Sequence, residues 1–288
     1  MALTLGDLYQ AIARNFGALY ATGTATSGST TTIVDTSNLP ALAANNALNN
    51  GYAYVKTDAG GAHAAPEGQT RLISNFVQST GSITVGTAFS AAVGAGDTYV
   101  VCTGLPKVTL ADAAAQCLRD AFPSFHQKYI DDTTEIVTDT YTYDIPTTID
   151  VLDEVWIQGD ADASFYNPVR MWRRSVSGAG TRQVVLDKEQ EYSTEYVLRL
   201  VGRGPLDVPA NDYTAIAMQA EYEQGLLAYI GYRGAALCHR WIAMRDGKNL
   251  REHLTMADLL EKDALKALRK GMPAVHGRLD VRVPEYWR

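Results

Sequence analysis

The side chains that most often do chemistry in proteins are few and scattered in this sequence. The five histidines never fall at the i, i+4 spacing that lets two imidazoles hold one metal ion on a helix; they are His63, His126, His239, His253 and His276. The three cysteines form no C-x-x-C pair, and G-x-S-x-G, the turn that presents a nucleophilic serine, does not occur. We therefore expect no catalytic residue and no metal site.

Phosphate and dinucleotide sites are also missing from the sequence. A phosphate-binding loop needs an upstream glycine, a lysine and a hydroxyl residue at fixed offsets, and Gly247-Lys248-Asn249 lacks the first and the last of these. The glycine pairs Gly94/Gly96 and Gly202/Gly204 are not followed by the third glycine of G-x-G-x-x-G. No cofactor is expected.

Two surface features remain as candidates for binding. Arg170, Arg173 and Arg174 surround Trp172, a mixture that could stack on a nucleic acid strand and neutralise it. The net charge favours another interpretation, in which these residues lie on a strand edge and the arginines pair with an acidic surface.

The second feature is the C-terminal tail, which alternates apolar and charged residues and ends on two aromatic residues. We expect it to be an extended arm that docks on a partner through Leu279, Val281, Val283, Tyr286 and Trp287. A frayed end is the alternative.

Composition sets the limits on the class of protein. A chain of 288 residues predicts about two globular units, and 46% hydrophobic residues are enough for real cores. The net charge of -7 is the wrong sign for a protein whose whole surface holds nucleic acid. Widely spaced cysteines favour a reducing compartment, and we expect neither a signal peptide nor a membrane span.

The elements must position these residues, and their pattern predicts an α+β fold: a four-helix core with two inserted antiparallel β units and an extended C-terminal arm. Thr4 with Asp7, and Thr109 with Asp112, are spaced as capping boxes, and Asn211 or Asp212 is expected to cap a long helix whose glycines need close packing. The predicted segments are helix one (1–20), a β-sandwich or barrel insertion (21–105), helix two (106–135), a second β-rich insertion (136–205), helices three and four (206–271) and the arm (272–288).

The order of the segments also resembles a known family. The segments TATSGSTTTIVDTSNL, GQTRLISNF, STGSITV and AGDTYVV look like a recurrent β module of tailed-bacteriophage virion proteins. The segments LRDAFPSF, TYTYDIP, VLDEVWIQ and YVLRLVGRGPL follow in an order that is similar to phage head-to-tail adaptor proteins, also called neck or connector proteins. The resemblance extends to about residue 245 and leaves the tail after Met272 unmatched.

The resemblance implies a structural virion protein and not an enzyme. Such adaptors form an oligomeric ring under the portal, commonly of twelve copies. Genomic DNA passes through the ring without sequence-specific binding, and tail or further neck proteins dock on it. We accordingly expect a location in the virion neck, and in the host cytoplasm during assembly.

Two other classes stay open at this point. One is a tail-tip or fibre-associated protein that binds host glycan, although no repeat or coiled coil is visible. The other is a cell-wall hydrolase, for which Glu189, Glu191 and Glu195 are the weak candidate carboxylates.

Overall fold

The computed structural model describes residues 3–42, 44–61, 63–64, 66–158, 166–188, 196–218, 220–246 and 249–271. The chain divides into two compact units. Met1–Cys117 and Val208–Arg288 make up the first unit, and Leu118–Asp207 makes up the second unit. The second unit is thus one continuous run of chain inserted into the first.

The predicted fold class, a four-helix core with two inserted β units, is wrong. The described residues are mostly β, with 14 strands in three antiparallel sheets and five helices, of which four have at least seven residues. Helical stripes are conspicuous in a sequence because their period persists over many residues. One cluster of buried side chains in each unit nevertheless lies mainly on strands, and a smaller cluster in the first unit joins α4 and α5.

The first unit contains a seven-stranded antiparallel sheet. Its strands are β1 (Leu19–Thr24), β2 (Ser27–Gly28), β3 (Thr32–Val34), β4 (Tyr52–Thr57), β5 (Thr70–Val77), β6 (Ser82–Val85) and β7 (Thr98–Cys102), paired in the order β1-β7-β4-β5-β6-β3-β2. The register of β5 against β6 shifts between Ile73 and Asn75, as in a β-bulge, which bends a strand. Ile33, Val55 and Phe76, from both halves of the sheet, therefore share one core.

The helices are α1 (Leu5–Phe16), α2 (Leu39–Leu42), α3 (Lys107–Asp120), α4 (Glu223–Asp246) and α5 (Leu250–Gly271), with 3-10 turns at Gln78–Thr80 and Ala220–Tyr222. The predicted cap of the first helix is confirmed: the Asp7 amide donates to the Thr4 hydroxyl, and the Asp7 carboxylate accepts from the Thr4 amide. Gly17, at φ 84°, ends α1 in the left-handed conformation that favours glycine.

The glycines of α4 are explained by close packing on α1, as predicted. A Cβ atom on Gly234 would lie 2.6 Å from the side chain of Ile12, and one on Gly231 would lie 2.6 Å from the amide nitrogen of Asn15. Both positions thus let α1 approach the backbone of α4, which in turn packs against α5.

Two predicted helix starts are wrong. Thr109 and Asp112 lie inside α3, which begins at Lys107 directly after Pro106, a residue suited to a helix start because it lacks an amide hydrogen. Asn211 and Asp212 do not cap the long helix, because α4 begins only at Glu223.

The second unit is a sandwich of the two smaller sheets. Its strands are β8 (Gln127–Glu135), β9 (Thr142–Asp144), β10 (Val151–Gln158), β11 (Tyr166–Pro168), β12 (Trp172–Val176), β13 (Arg182–Leu186) and β14 (Val197–Gly204), paired as β11-β10-β14-β8 and β12-β13-β9. Leu152, Leu200 and Val184 share one core across the two sheets. Gly202 lies inside β14. A Cβ there would lie 2.4 Å from the Val151 carbonyl oxygen, so the close approach of the neighbouring strand requires glycine at this position.

No helix among the described residues is both long enough and apolar enough to cross a membrane.

Candidate functional site

The candidate site is a polar cleft of about 500 Å³ in the first unit. Its walls come from α1, β1, β4, β7 and the chain at Asp212 and Tyr213. Five threonine side chains line it, those of Thr4, Thr22, Thr24, Thr57 and Thr98. The size is that of a small-molecule site, so the chemistry of its charged groups decides what it can do.

Asp212 is the hub at one end of this cleft. Its carboxylate accepts hydrogen bonds from the hydroxyls of Tyr9 (3.1 Å) and Tyr54 (3.3 Å) and pairs with the ammonium of Lys107. The Lys107 nitrogen also lies 5.1 Å from the centre of the Tyr54 ring, within cation–π range. One carboxylate therefore joins α1, β4 and the start of α3.

Backbone pairing places Asp212 there. The Gly6 amide donates to the Asp212 carbonyl at 3.0 Å, and the Ile216 amide donates to the Leu3 carbonyl at 2.9 Å. An isolated antiparallel bridge between Thr4 and Ala215 lies between these two bonds. The chain that returns from the second unit thus runs beside the first turn of α1, which puts the Asp212 side chain next to Tyr9.

A second ion pair lies in the wall. The ammonium of Lys56 is 2.7 Å from the carboxylate of Asp7 and 3.3 Å from the amide oxygen of Gln10. Burial acts to raise the pKa of Asp7, but the hydrogen bonds from Lys56 and Thr4 outweigh it and hold that pKa below its ordinary value. Asp7 is therefore a fixed anion at neutral pH and is poorly suited to accept a proton.

The third group joins the loop before β5 to Tyr213. The His63 ring stacks on the Tyr213 ring at 4.1 Å and contacts the Glu67 carboxylate at 3.2 Å. The Glu67 side chain is only 1% exposed and also accepts from the Asp58 amide. Each carboxylate of the cleft is thus held by a partner within the wall.

Two tyrosines and two cysteines of the first unit have raised pKa values. Burial first, and the Asp212 charge second, raise the pKa values of Tyr9 and Tyr54, which keeps both phenols protonated as hydrogen-bond donors. Burial raises the pKa of the Cys102 and Cys238 thiols to about 12, whereas reactive thiols have lowered pKa values. The described part of the chain contains no group of three or more His, Cys, Asp or Glu that could hold a metal ion.

The predicted basic and aromatic patch lies at the edge strand β12. Arg170 precedes this strand and is exposed, and Arg173 is exposed on it. Trp172 packs against the core of the second unit, and Arg174 donates to the carbonyl of Leu152. Because alternate residues of a strand face opposite sides, Trp172 and Arg174 share one face and Arg173 lies on the other.

The other predicted residues lie outside the described part of the chain. These are the docking arm, Leu279, Val281, Val283, Tyr286 and Trp287, and the weak hydrolase candidates Glu189, Glu191 and Glu195.

The cleft was not predicted from the sequence, because its residues come from distant parts of the chain. Asp212 was expected to cap a helix, and its partners Tyr9 and Tyr54 precede it by 203 and 158 residues. One local feature of the sequence does indicate that Asp212 lies in a loop. It follows Pro205 and Pro209 and precedes any regular helical stripe.

Helix α5 exposes apolar side chains beside the stripe that it buries. Toward α4 it buries Ala257, Leu260 and Ala264. At about 100° per residue, the exposed large apolar residues fall on both sides of that stripe. One flank carries Leu250, Leu254 and Leu265, and the other carries Met256 and Leu259, all between 39% and 54% exposed. We call these two groups the α5 flanks.

Comparison with known proteins identifies no family, because no protein-family model and no curated protein matches the chain.

Proposed function

We propose that the protein is a structural virion protein, a head-to-tail adaptor of a tailed bacteriophage that forms a ring under the portal. In this proposal the ring provides the passage for DNA and docks tail or further neck proteins. The observation that supports it most is the pair of α5 flanks, since a helix that is apolar on both sides of its buried stripe suits packing between neighbours.

A ring needs two different surfaces on each copy. Heterologous contacts, in which one surface meets another, close into a ring when the rotation between copies allows it. The α5 flanks lie on different sides of one helix, so each can meet a different neighbour of the same kind. The proposed occupant of each flank is therefore an adjacent copy of this chain.

The size of the effect is appreciable. Complete burial of an exposed leucine contributes about 1.5 to 3 kcal/mol, so a half-exposed leucine contributes roughly 1 kcal/mol when a neighbour covers it. The five residues of the α5 flanks together supply about 5 kcal/mol per copy. Repeated around a closed ring, this contribution favours assembly and opposes the loss of translational and rotational freedom on association.

The charges of the chain agree with a DNA passage. The net charge of -7 disfavours tight binding of phosphates, and a wall that held phosphates would resist sliding of the genome. The cleft around Asp212 supports a structural role as well, because its carboxylates are bound to partners in its own wall.

The test is the oligomeric state of the full chain, with and without a portal protein, by native mass spectrometry and negative-stain imaging. We expect rings of one defined size. Leu254→Arg should weaken them more than Thr255→Arg, which adds the same charge at an exposed position opposite the buried stripe of α5.

Two results would contradict the proposal. Monomers only, at high concentration and with portal present, would rule out the ring. Equal loss of rings with both arginine variants, at unchanged thermal stability, would remove the α5 flanks as the contact.

A further inference from the structure

Among the residues that the structure describes, strand β8 is an open edge of the four-stranded sheet. It has nine residues and lies at the end of the order β11-β10-β14-β8, with β14 on one side. The backbone groups on its other side face away from β14, and an antiparallel edge of this kind is a template for a further strand.

The other edges in the described sheets are shorter or better protected. The strands β1, β2, β9, β11 and β12 have six, two, three, three and five residues. β11 ends at Pro168, which has no amide hydrogen to donate, and β12 carries the exposed Arg173. Both features disfavour the addition of a further strand. Among these edges β8 offers the longest run for pairing.

The side chains of β8 indicate what kind of strand would fit. Exposure alternates along its first six residues, and Ile130 is 56% exposed between Lys128 and Asp132. The strand contains three acidic residues and one basic residue, which leaves a net charge of -2. A fitting strand therefore alternates apolar and charged residues and has a basic excess.

We propose that residues 278–283 of a second copy add to β8 as a fifth strand. This segment reads RLDVRV, so it alternates as β8 does and has a net charge of +1. It follows α5 after residues 272–277, a link that spans up to about 20 Å when extended. The proposal rests on the proposed ring, and it names the contact by which each copy holds the next.

Strand addition explains the two kinds of residue in the arm. The backbone of residues 278–283 would supply the hydrogen bonds of the added strand, which gives affinity without a dedicated pocket. Tyr286 and Trp287 lie beyond Pro284, which cannot donate to a ladder, so they anchor the end of the arm and do not extend the strand.

The experiment compares hydrogen exchange of β8 in the full-length wild type, Val281→Pro and Val281→Thr. Proline removes the backbone amide of residue 281 and is disfavoured inside a paired strand, whereas threonine keeps the amide and is a good strand former. In wild-type rings we expect β8 amides to exchange about tenfold more slowly than in dilute monomers, with the difference lost in Val281→Pro and kept in Val281→Thr. Folding of the units is checked by exchange of β10 in the same samples.

The outcomes separate this contact from the ring itself. Wild-type rings in which β8 exchanges as fast as in monomers would overturn the strand addition and leave the adaptor proposal standing. Slow exchange of β8 at every dilution would also overturn it, because the arm would then belong to the same copy. A wild-type chain that stays monomeric with portal present overturns both proposals.

Discussion

The Asp212 hub predicts a large stability loss from a small substitution, Asp212→Asn. Asparagine keeps the shape and one acceptor oxygen but removes the charge. Its NH₂ group replaces either the oxygen that accepts from Tyr9 or the oxygen that accepts from Tyr54 and Lys107, so a donor then faces a donor. Hydrogen bonds to a charged group contribute about 1.5 to 3 kcal/mol, against about 0.5 to 1.5 for neutral pairs.

The magnitude follows from how well each group is shielded. The Asp212 side chain is 12% exposed and that of Lys107 is 24% exposed, so the pair is mostly but not fully buried. Breaking a fully buried pair costs about 3 to 5 kcal/mol, and solvent reduces this here. We expect Asp212→Asn to lower the free energy of unfolding of the first unit by about 2 to 4 kcal/mol.

The matched control is Asp150→Asn in the second unit. Asp150 pairs with Arg182 at 2.7 Å, but these side chains are 39% and 36% exposed. Surface pairs of this kind contribute about 0 to 1 kcal/mol. The same chemical change is therefore expected to cost several times less.

Hydrogen exchange followed by mass spectrometry reads the two units separately. A loss of 2 to 4 kcal/mol corresponds to about 30-fold to 900-fold faster exchange in β4, where Tyr54 lies, while β10 should be unchanged. Asp150→Asn should alter neither strand by more than about fivefold. The contrary result is an increase of amide exchange in β4 of Asp212→Asn no larger than that in β10 of Asp150→Asn. It would show that the Asp212 pair stabilises the protein no more than a surface ion pair does.

Further predictions concern titration, packing and thiol reactivity. Burial, and then the neighbouring His253 ring, lower the pKa of His239. The contribution of the neutral ring to the free energy of unfolding should therefore be fully present above about pH 6.5 and be lost as the pH falls below it. His239→Phe should flatten that fall, seen as a smaller difference in Tm between pH 8 and pH 5.5. Gly234→Ala should destabilise by about 1 to 2 kcal/mol although alanine favours helices, because its Cβ would lie 2.6 Å from the buried Ile12. Gly231→Ala should cost less in urea unfolding, because its Cβ meets the side-chain nitrogen of Asn15, which can move, and lies 3.2 Å from the Ala11 Cβ. At pH 8, iodoacetamide should label Cys102 and Cys238 only after denaturation, and rapid labelling of the native protein would contradict their raised pKa values.

Strands with strong local signals were predicted well. Ser82–Val85, Thr98–Cys102 and Val151–Gln158 lie inside the segments 21–105 and 136–205 that were predicted to be β-rich, because β-branched and aromatic residues fill them and turn residues flank the first two. Thr4 and Asp7 likewise predicted the start of α1, since a capping box is contained within four residues.

Features that depend on distant partners were missed. The sequence of β8, QKYIDDTTE, contains adjacent aspartates and reads poorly as a strand, and pairing with β14 overrides that local preference. Asp7 was expected only as a capping residue, yet it also binds Lys56, which lies 49 residues further along the chain. The cleft is made of such long-range pairs, so local spacing could not predict it.

The fold class failed for a related reason. The apolar stripes of α1 and α5 are regular and α4 is long, and together they suggested that helices surround a common core. Each sheet instead depends on register and pairing order, which short apolar runs do not encode. The helices were thus recognised as elements, while the dominance of the sheets was not.

The insertion of the second unit bears on how the chain matures on the ribosome. Lys107 and Asp212 meet in the first unit although 105 residues separate them, nearly all of which belong to the second unit. Synthesis runs from the N-terminus, so residues 118–207 are complete before Asp212, α4 and α5 emerge. The second unit can therefore fold before the Lys107–Asp212 pair forms. The loop between these two residues is then already folded, so forming the pair costs less entropy than closing an unfolded loop of roughly a hundred residues. The chain at residues 212–216, which is made after the second unit, is the segment that pairs with the first turn of α1.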